Sequence, residues 1–215
     1  MQRPLIIGIT GGIGSGKSTL SSLLRAEGYS VYDTDLEARR LQNEHSAMRK
    51  KLVDLFGKDI YTEQGLNRSA LGKIVFTRPD LLLKLNAIVH PLVMEDFNNW
   101  VMNRLPKKML FIESAILYES GFNKLVDKVI LITASEEVRI GRVVNRDGVN
   151  PEQVRARMSN QLSEKEKISK ADFVIYSDDN TPLEGKMRKI IVELIDFRNK
   201  KINESISSGD KLVYY

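Results

Sequence analysis

The chain contains no cysteine and only two histidines among its 215 residues. Without thiols it can form neither a disulfide framework nor a thiolate metal centre, and two imidazoles are too few for a histidine-rich site. Any metal ion it uses must be held by oxygen ligands. Long apolar runs are missing as well. None reaches the roughly 18 residues needed to cross a bilayer, and the segment Met1 to Thr10 lacks the cleavage region of a secretory signal. The expectation is a cytoplasmic protein that makes no use of a membrane. A continuous basic tract is also absent. The net charge is +5, but the cations fall in short groups such as Arg49-Lys50-Lys51 and Lys107-Lys108, interleaved with acids. That pattern argues against nucleic acid as a partner and leaves a positive excess suited to anionic small molecules. What is present is ordinary for a folded enzyme: 42% hydrophobic and 28% charged residues, far from the composition of disorder.

Five short apolar, β-branched runs read as strands: Leu5 to Ile9, Ser30 to Asp33, Met109 to Glu113, Lys128 to Thr133 and Phe173 to Tyr176. Helical spacing separates them, beginning with Ser18 to Ala26, and the alternation predicts an α/β fold with a parallel sheet covered on both faces. Positions 34 to 108, 75 residues, divide the second strand from the third. This is far more than a crossover needs, so a domain is inserted there. Its apolar spacing is helical over Leu36 to Leu41, Met48 to Phe56, Ser69 to Phe76 and Pro79 to Trp100, with Gly57, Gly65 and Pro79 as breaks. The predicted organisation is a core of residues 1–35, 104–135 and 171–203, a helical substrate domain over 36–103, a charged mobile lid over 136–170 and a tail over 204–215. Pro182 to Asn203 reads as a long helix, and Ser205 to Tyr215 has no pattern.

The chemistry begins at Gly11-Gly12-Ile13-Gly14-Ser15-Gly16-Lys17-Ser18, which matches G-x-x-x-x-G-K-[ST] between a predicted strand and a predicted helix. Glycines let backbone N–H groups close around phosphate oxygens, and the following helix adds its positive end. Gly12, Ile13, Gly14, Ser15 and Gly16 are therefore nucleotide-binding candidates. Lys17 is placed to reach the β and γ phosphates of ATP, and the Ser18 hydroxyl to ligate Mg²⁺. A nucleotide switch would need a base-reading motif. Asn123-Lys124-Leu125-Val126-Asp127 has one residue too many for N-K-x-D and precedes a strand rather than following one. Asp54-Leu55-Phe56-Gly57 imitates D-x-x-G inside a helical stretch. Both are accidental, which favours a kinase over a switch.

Asp33 closes the second predicted strand, at the end that faces the ligand crevice in open α/β sheets. A carboxylate there can accept the proton of an attacking hydroxyl. Asp33 or Asp35 can equally cap the following helix. Glu113 closes the third strand, where it can hold Mg²⁺ through water or cap in its turn. Arg139, Arg142 and Arg146 recur at helical spacing beyond the fourth strand. Arg142 and Arg146 are the candidates to neutralise charge on the transferring phosphoryl group, with a solvated helix face as the ordinary alternative.

Together these residues resemble the dephospho-coenzyme A kinase family over residues 5 to 178. Gly8 through Thr19 is similar to the family's opening, and Asp33-Thr34-Asp35 resembles its D-A-D segment. His90-Pro91 is similar to its H-P pair, and Ile116-Leu117-Tyr118-Glu119 to its P-L-L-F-E segment. Arg142, Arg146-Asp147-Gly148, Arg157 and Gln161 resemble its lid signature. The resemblance implies ATP and Mg²⁺ as cofactors, dephospho-coenzyme A as acceptor, Asp33 as catalytic base with Lys17 and Arg142, and Thr19 and Arg146 at the nucleotide. It also implies Thr10, Asp33, His90 and Leu117 on the acceptor side. The chain departs from the family pattern at three places: Glu113 where an Asp is frequent, Ala115 where a Pro is usual, and Ser177 near an Asn that frames adenine. A different small-molecule or nucleotide kinase on the same core, and a nucleotide-dependent binding or switch protein, are the competing readings.

Overall fold

The computed structural model describes residues 3–75, 78–178 and 181–207, with side chains to residue 204. The expected helix end at Phe76 lies outside the described residues, as does the segment 208–215 of the expected tail.

By chain contacts the described protein divides into two compact units, residues 33–103 and the remainder. The larger unit carries a five-stranded sheet made of β1 (Leu5–Thr10), β2 (Ser30–Asp33), β5 (Met109–Glu113), β6 (Lys128–Thr133) and β7 (Phe173–Tyr176), in the order β2-β5-β1-β6-β7. β1 runs parallel to both β5 and β6, and β6 parallel to β7, with Leu5 opposite Met109 and Ile130 opposite Phe173. Every residue of β1 and β5 is buried, which is why their sequences are unbroken apolar runs rather than alternations. Leu20 and Leu24 of α1 (Lys17–Ala26), together with Ile190, Ile191 and Leu194 of α9 (Leu183–Ser207), complete the core against Ile7, Ile9, Phe111, Ile130 and Ile132. The connection from β1 leads toward β2 on one side, whereas β5 leads across to β6 on the other. The strand order thus reverses beside the carboxyl end of β1, the position where open sheets of this kind bind ligands.

Three helices lie between β6 and β7 in the same unit: α6 (Glu136–Asp147), α7 (Pro151–Met158) and α8 (Glu164–Lys170). α7 and α8 each begin with a capping box, Asn150 with Gln153 and Ser163 with Glu166, which satisfies orphan N–H groups at both starts.

The second unit contains α2 (Thr34–Glu44), α3 (Ser46–Phe56), α4 (Arg68–Val75) and α5 (Pro79–Met102), the last with Pro79 in its first turn and Pro91 inside it. Met48, Leu52, Leu71, Val89, Val93 and Phe97 are buried. A short antiparallel hairpin, β3 (Tyr61–Thr62) and β4 (Gly65–Leu66), was not expected from the sequence. It is fastened to α2 by the Leu66 N–H, which donates to Asn43 Oδ1 at 2.9 Å, and by the Tyr61 hydroxyl, which donates to the Gln42 carbonyl at 2.7 Å. Among the described residues no helix is long and apolar enough to cross a membrane.

Candidate functional site

β1 delivers the chain into the loop Gly11–Gly16 at the point of strand-order reversal. Gly14 and Gly16 have φ of 78° and 102°, left-handed values that residues bearing a Cβ adopt with strain, and Gly16 is the N-cap of α1. Close approach is the second requirement for glycine. A Cβ on Gly11 would stand 2.1 Å from the Ile132 carbonyl oxygen, and one on Gly14 would stand 2.4 Å from that of Arg139. The loop is thus pressed onto β6 and onto the first turn of α6. The first turn of α1 leaves its N–H groups without helical partners, so a phosphate meets amides and the positive end of a dipole together. Lys17 Nζ donates to the carbonyls of Gly11 at 2.9 Å and Gly12 at 3.3 Å, which holds the ammonium against the loop.

Ser18, one residue further, donates its hydroxyl to Glu113 Oε1 at 3.3 Å. Glu113 closes β5 and is 6% exposed, and its other carboxylate oxygen is buried with no hydrogen-bond partner. A buried carboxylate oxygen without a donor is costly unless a cation meets it. A hydroxyl and one carboxylate, with water and phosphate oxygens completing the shell, is the donor set Mg²⁺ takes. Among the described residues no cluster of three His, Asp or Glu side chains forms a dedicated metal cage.

The three arginines of α6 separate in space. Arg139 is buried, and its Nη1 donates to Glu164 Oε1 at 3.1 Å. Arg142 donates from Nη1 to the Gly14 and Ser15 carbonyls at 3.3 and 3.4 Å and to Ser177 Oγ at 2.8 Å, and from Nη2 to the Ser177 carbonyl at 2.8 Å. Ser177 Oγ in turn donates to the Ser15 carbonyl at 2.8 Å. Arg146 is exposed and pairs with Asp147, its Nε 2.7 Å from Oδ1. Three residues at helical spacing therefore meet three environments, because the first turn of α6 is pressed against the loop while its last turn is solvated.

Thr10, Ser15, Lys17, Ser18, Glu113 and Arg142 converge around the end of β1. Thr10 is fully buried, and its hydroxyl has no hydrogen-bond partner. The Leu117 side chain is fully buried against Gly8, where a Cβ would come within 2.8 Å of Leu117 Cδ2, so this side chain is part of the packing. Asp33 and His90 belong to the second unit. Asp33 Oδ1 accepts the Leu36 N–H at 3.0 Å, so the capping role open to Asp33 or Asp35 falls to Asp33, and Asp35 stands in the first turn. His90 lies on α5, and burial pushes its imidazole below the usual histidine range, which leaves it neutral at pH 7.

A group that includes Glu164 and Lys167, neither recognised from the sequence, lies beside the loop on the α6–α8 side. Glu164 accepts the Thr133 hydroxyl at 2.5 Å, Glu119 Oε1 accepts the Leu162 N–H at 2.8 Å, and Lys167 is fully buried. Burial pushes the Lys167 ammonium below its ordinary range, partly countered by Glu119 and Glu164. These contacts span tens of residues and leave no local pattern. The motif residues Glu119 and Gln161 were the available signals.

Comparison with known proteins agrees with this geometry. The model of the dephospho-CoA kinase family matches residues 5–182. A dephospho-CoA kinase of Bacteroides fragilis (strain YCH46) is 39% identical over 197 residues, 92% of this chain and 94% of the relative. Among solved structures, TT1252 from Thermus thermophilus superposes with a TM-score of 0.78 at 36% identity, covering 91% of this chain and 98% of that one. A dephospho-CoA kinase from Campylobacter jejuni gives 0.58 at 26% identity, with 96% and 98% covered. A phosphate loop at the strand-order reversal, a paired serine and carboxylate beside it, and a family match over most of the sequence lead to one assignment: the chain belongs to the dephospho-CoA kinase family.

Proposed function

We propose that this protein transfers the γ-phosphate of ATP to the 3′-hydroxyl of dephospho-coenzyme A, giving coenzyme A and ADP. The observation that carries the reading is the Ser18–Glu113 pair beside the loop Gly11–Ser18, in a member of this family. Phosphoryl transfer depends on positioning and on compensation of charge more than on covalent chemistry with the protein. The amides of Gly12 to Thr19 bind the phosphates of ATP, and Lys17 carries positive charge toward the γ-phosphate. Ser18 and, through water, Glu113 would hold Mg²⁺, which when bound would neutralise phosphate charge. Arg142, anchored beside the Gly14 and Ser15 carbonyls, adds a cation on the far side of the loop, and Arg146 a more distant one.

Asp33 acts as the base. Its place at the carboxyl end of a core strand supports this, since one oxygen serves the α2 cap and the other is available to accept the proton of the attacking hydroxyl. The second unit, residues 33–103, recognises the acceptor, with neutral His90 contributing a hydrogen bond rather than a charge. Thr10 and the backbone near Leu117 complete the acceptor side. The test is direct: incubation with MgATP and dephospho-coenzyme A, with the product identified by mass and by the position of its new phosphate. A product carrying the phosphate anywhere but on the 3′-hydroxyl, or ADP formed without a phosphorylated product, would overturn the reading.

A further inference from the structure

The apex of the phosphate loop is held from outside by one side chain. Gln161 Oε1 accepts the Ile13 N–H at 3.2 Å, and Gln161 Nε2 donates to the Ala115 carbonyl at 3.2 Å. One carboxamide thereby joins the middle of the loop to the segment that follows Glu113, the predicted metal-side carboxylate. Its own backbone is anchored on both sides. The Gln161 N–H donates to the Met158 carbonyl at 3.0 Å, the Leu162 N–H to Glu119 Oε1 at 2.8 Å, and Ser163 caps α8. Beneath the loop, a Cβ on Gly12 would meet Arg139 Nη1 at 2.3 Å and Glu164 Oε1 at 2.6 Å. The loop thus rests on an ion pair and is tied at its apex by Gln161.

We infer that Gln161 is a positioning residue for phosphoryl transfer: its carboxamide fixes the phosphate loop relative to the segment after β5, so that the nucleotide and the metal-side carboxylate are held in one frame. The inference rests on the function proposed above. Its physical basis is the directionality of the amide. A carboxamide offers an acceptor and a donor on a rigid plane, and here one meets an N–H and the other a carbonyl. Met and Glu, the side chains nearest to it in size and shape, cannot satisfy both. A carboxylate would keep the Ile13 bond and place negative charge against the Ala115 carbonyl, while an apolar side chain would leave both backbone groups unmet. Small displacements of a reacting phosphate are expensive in rate, so loosening this tie acts on turnover before it acts on binding.

Gln161→Met and Gln161→Glu test this in steady-state transfer. A cavity of about 440 Å³ borders Gln161 and accommodates the methionine. The expected result for both variants is a kcat about ten- to a hundredfold lower, the effect of one or two unmet polar groups, with KM for ATP within about threefold of wild type. Amide exchange at Ile13 should accelerate in the methionine variant. Wild-type kcat in that variant, a change confined to KM, or unaltered exchange at Ile13 would overturn the inference. If Gln161→Met does not fold, Gln161→Glu, which is nearly isosteric, decides by the same kinetic criteria. Absence of coenzyme A formation by the wild type would count against the proposed function alone, and Ile13 exchange would still decide whether the tie exists.

Discussion

Asp33 carries two duties that one pair of substitutions can separate. Its Oδ1 caps α2 through the Leu36 N–H, and the proposed catalytic duty needs a group that accepts a proton. Asparagine retains the capping oxygen and loses the basicity. Asp33→Asn should therefore lower kcat by about two to four powers of ten at nearly constant melting temperature. Asp33→Ala should add a stability loss of about 1 kcal/mol from the missing cap. Equal kcat in Asp33→Asn and wild type would assign the residue to the helix alone. Glu113 is tested through the metal. With its Oε2 buried and unpartnered, Glu113→Gln should raise the Mg²⁺ concentration for half-maximal transfer by about tenfold or more, read from a magnesium titration at saturating ATP. His90 gives a pH signature. Its folded-state affinity for protons is lowered by burial, so below its ordinary value of about 6.5 the unfolded chain binds more protons than the folded one. Stability should fall as pH drops through that value and level off once the folded imidazole is protonated. Thermal melts of His90→Gln should lose this part of the slope.

At the scale of elements, the three helices between β6 and β7 divide into two kinds. α6 buries Arg139, Ile140 and Val143, and α8 buries Lys167, whereas α7 buries Val154 alone. Amide exchange in the free protein should therefore be slow along α6 and fast along α7, with nucleotide adding protection chiefly to α7 and the turn after it. Uniformly fast exchange from 136 to 170 would instead favour a lid that moves along its whole length. The sequence places a charged lid here because Arg, Glu and Lys are normally solvated, and it carries no local signal that Arg139 and Glu164, 25 positions apart, pair beneath Gly12. The central strands β1, β5 and β6 were legible because burial on both faces writes itself as unbroken apolar runs, and the flanking β2 and β7 by their β-branched and aromatic residues. The β3–β4 hairpin was not, since two-residue strands have no period and Gly65 was visible only as a break. Gln161 shows the same limit at the site: its partner Ile13 lies 148 positions away, and composition around position 161 says nothing of a phosphate loop.

Across the larger unit, Asp127 fastens Arg3 and β1 to α9. Its carboxylate is almost fully buried, accepts the Ile6 N–H at 2.9 Å and Lys201 Nζ at 3.0 Å, and pairs with Arg3. The residue that mimics the end of a base-reading motif is thus a structural acceptor. Asp127→Ala leaves the Ile6 amide unmet and should cost about 1–3 kcal/mol, with kcat unchanged, as read by denaturant melts and transfer assays. The sheet also sets an order of events during synthesis. β1 is the central strand, yet Leu5 pairs with Met109, 104 positions later (109 − 5), and no earlier strand covers that side of it. At roughly 5–20 residues per second, β1 waits on the order of 5–20 s for its neighbour to be made. The unit of residues 33–103 is contiguous and can close while β1 is still unpaired. The nascent chain therefore carries a finished insert before the sheet that interrupts itself to hold it exists, and the apolar run Leu5–Ile9 is the stretch a chaperone would have to shield in that interval.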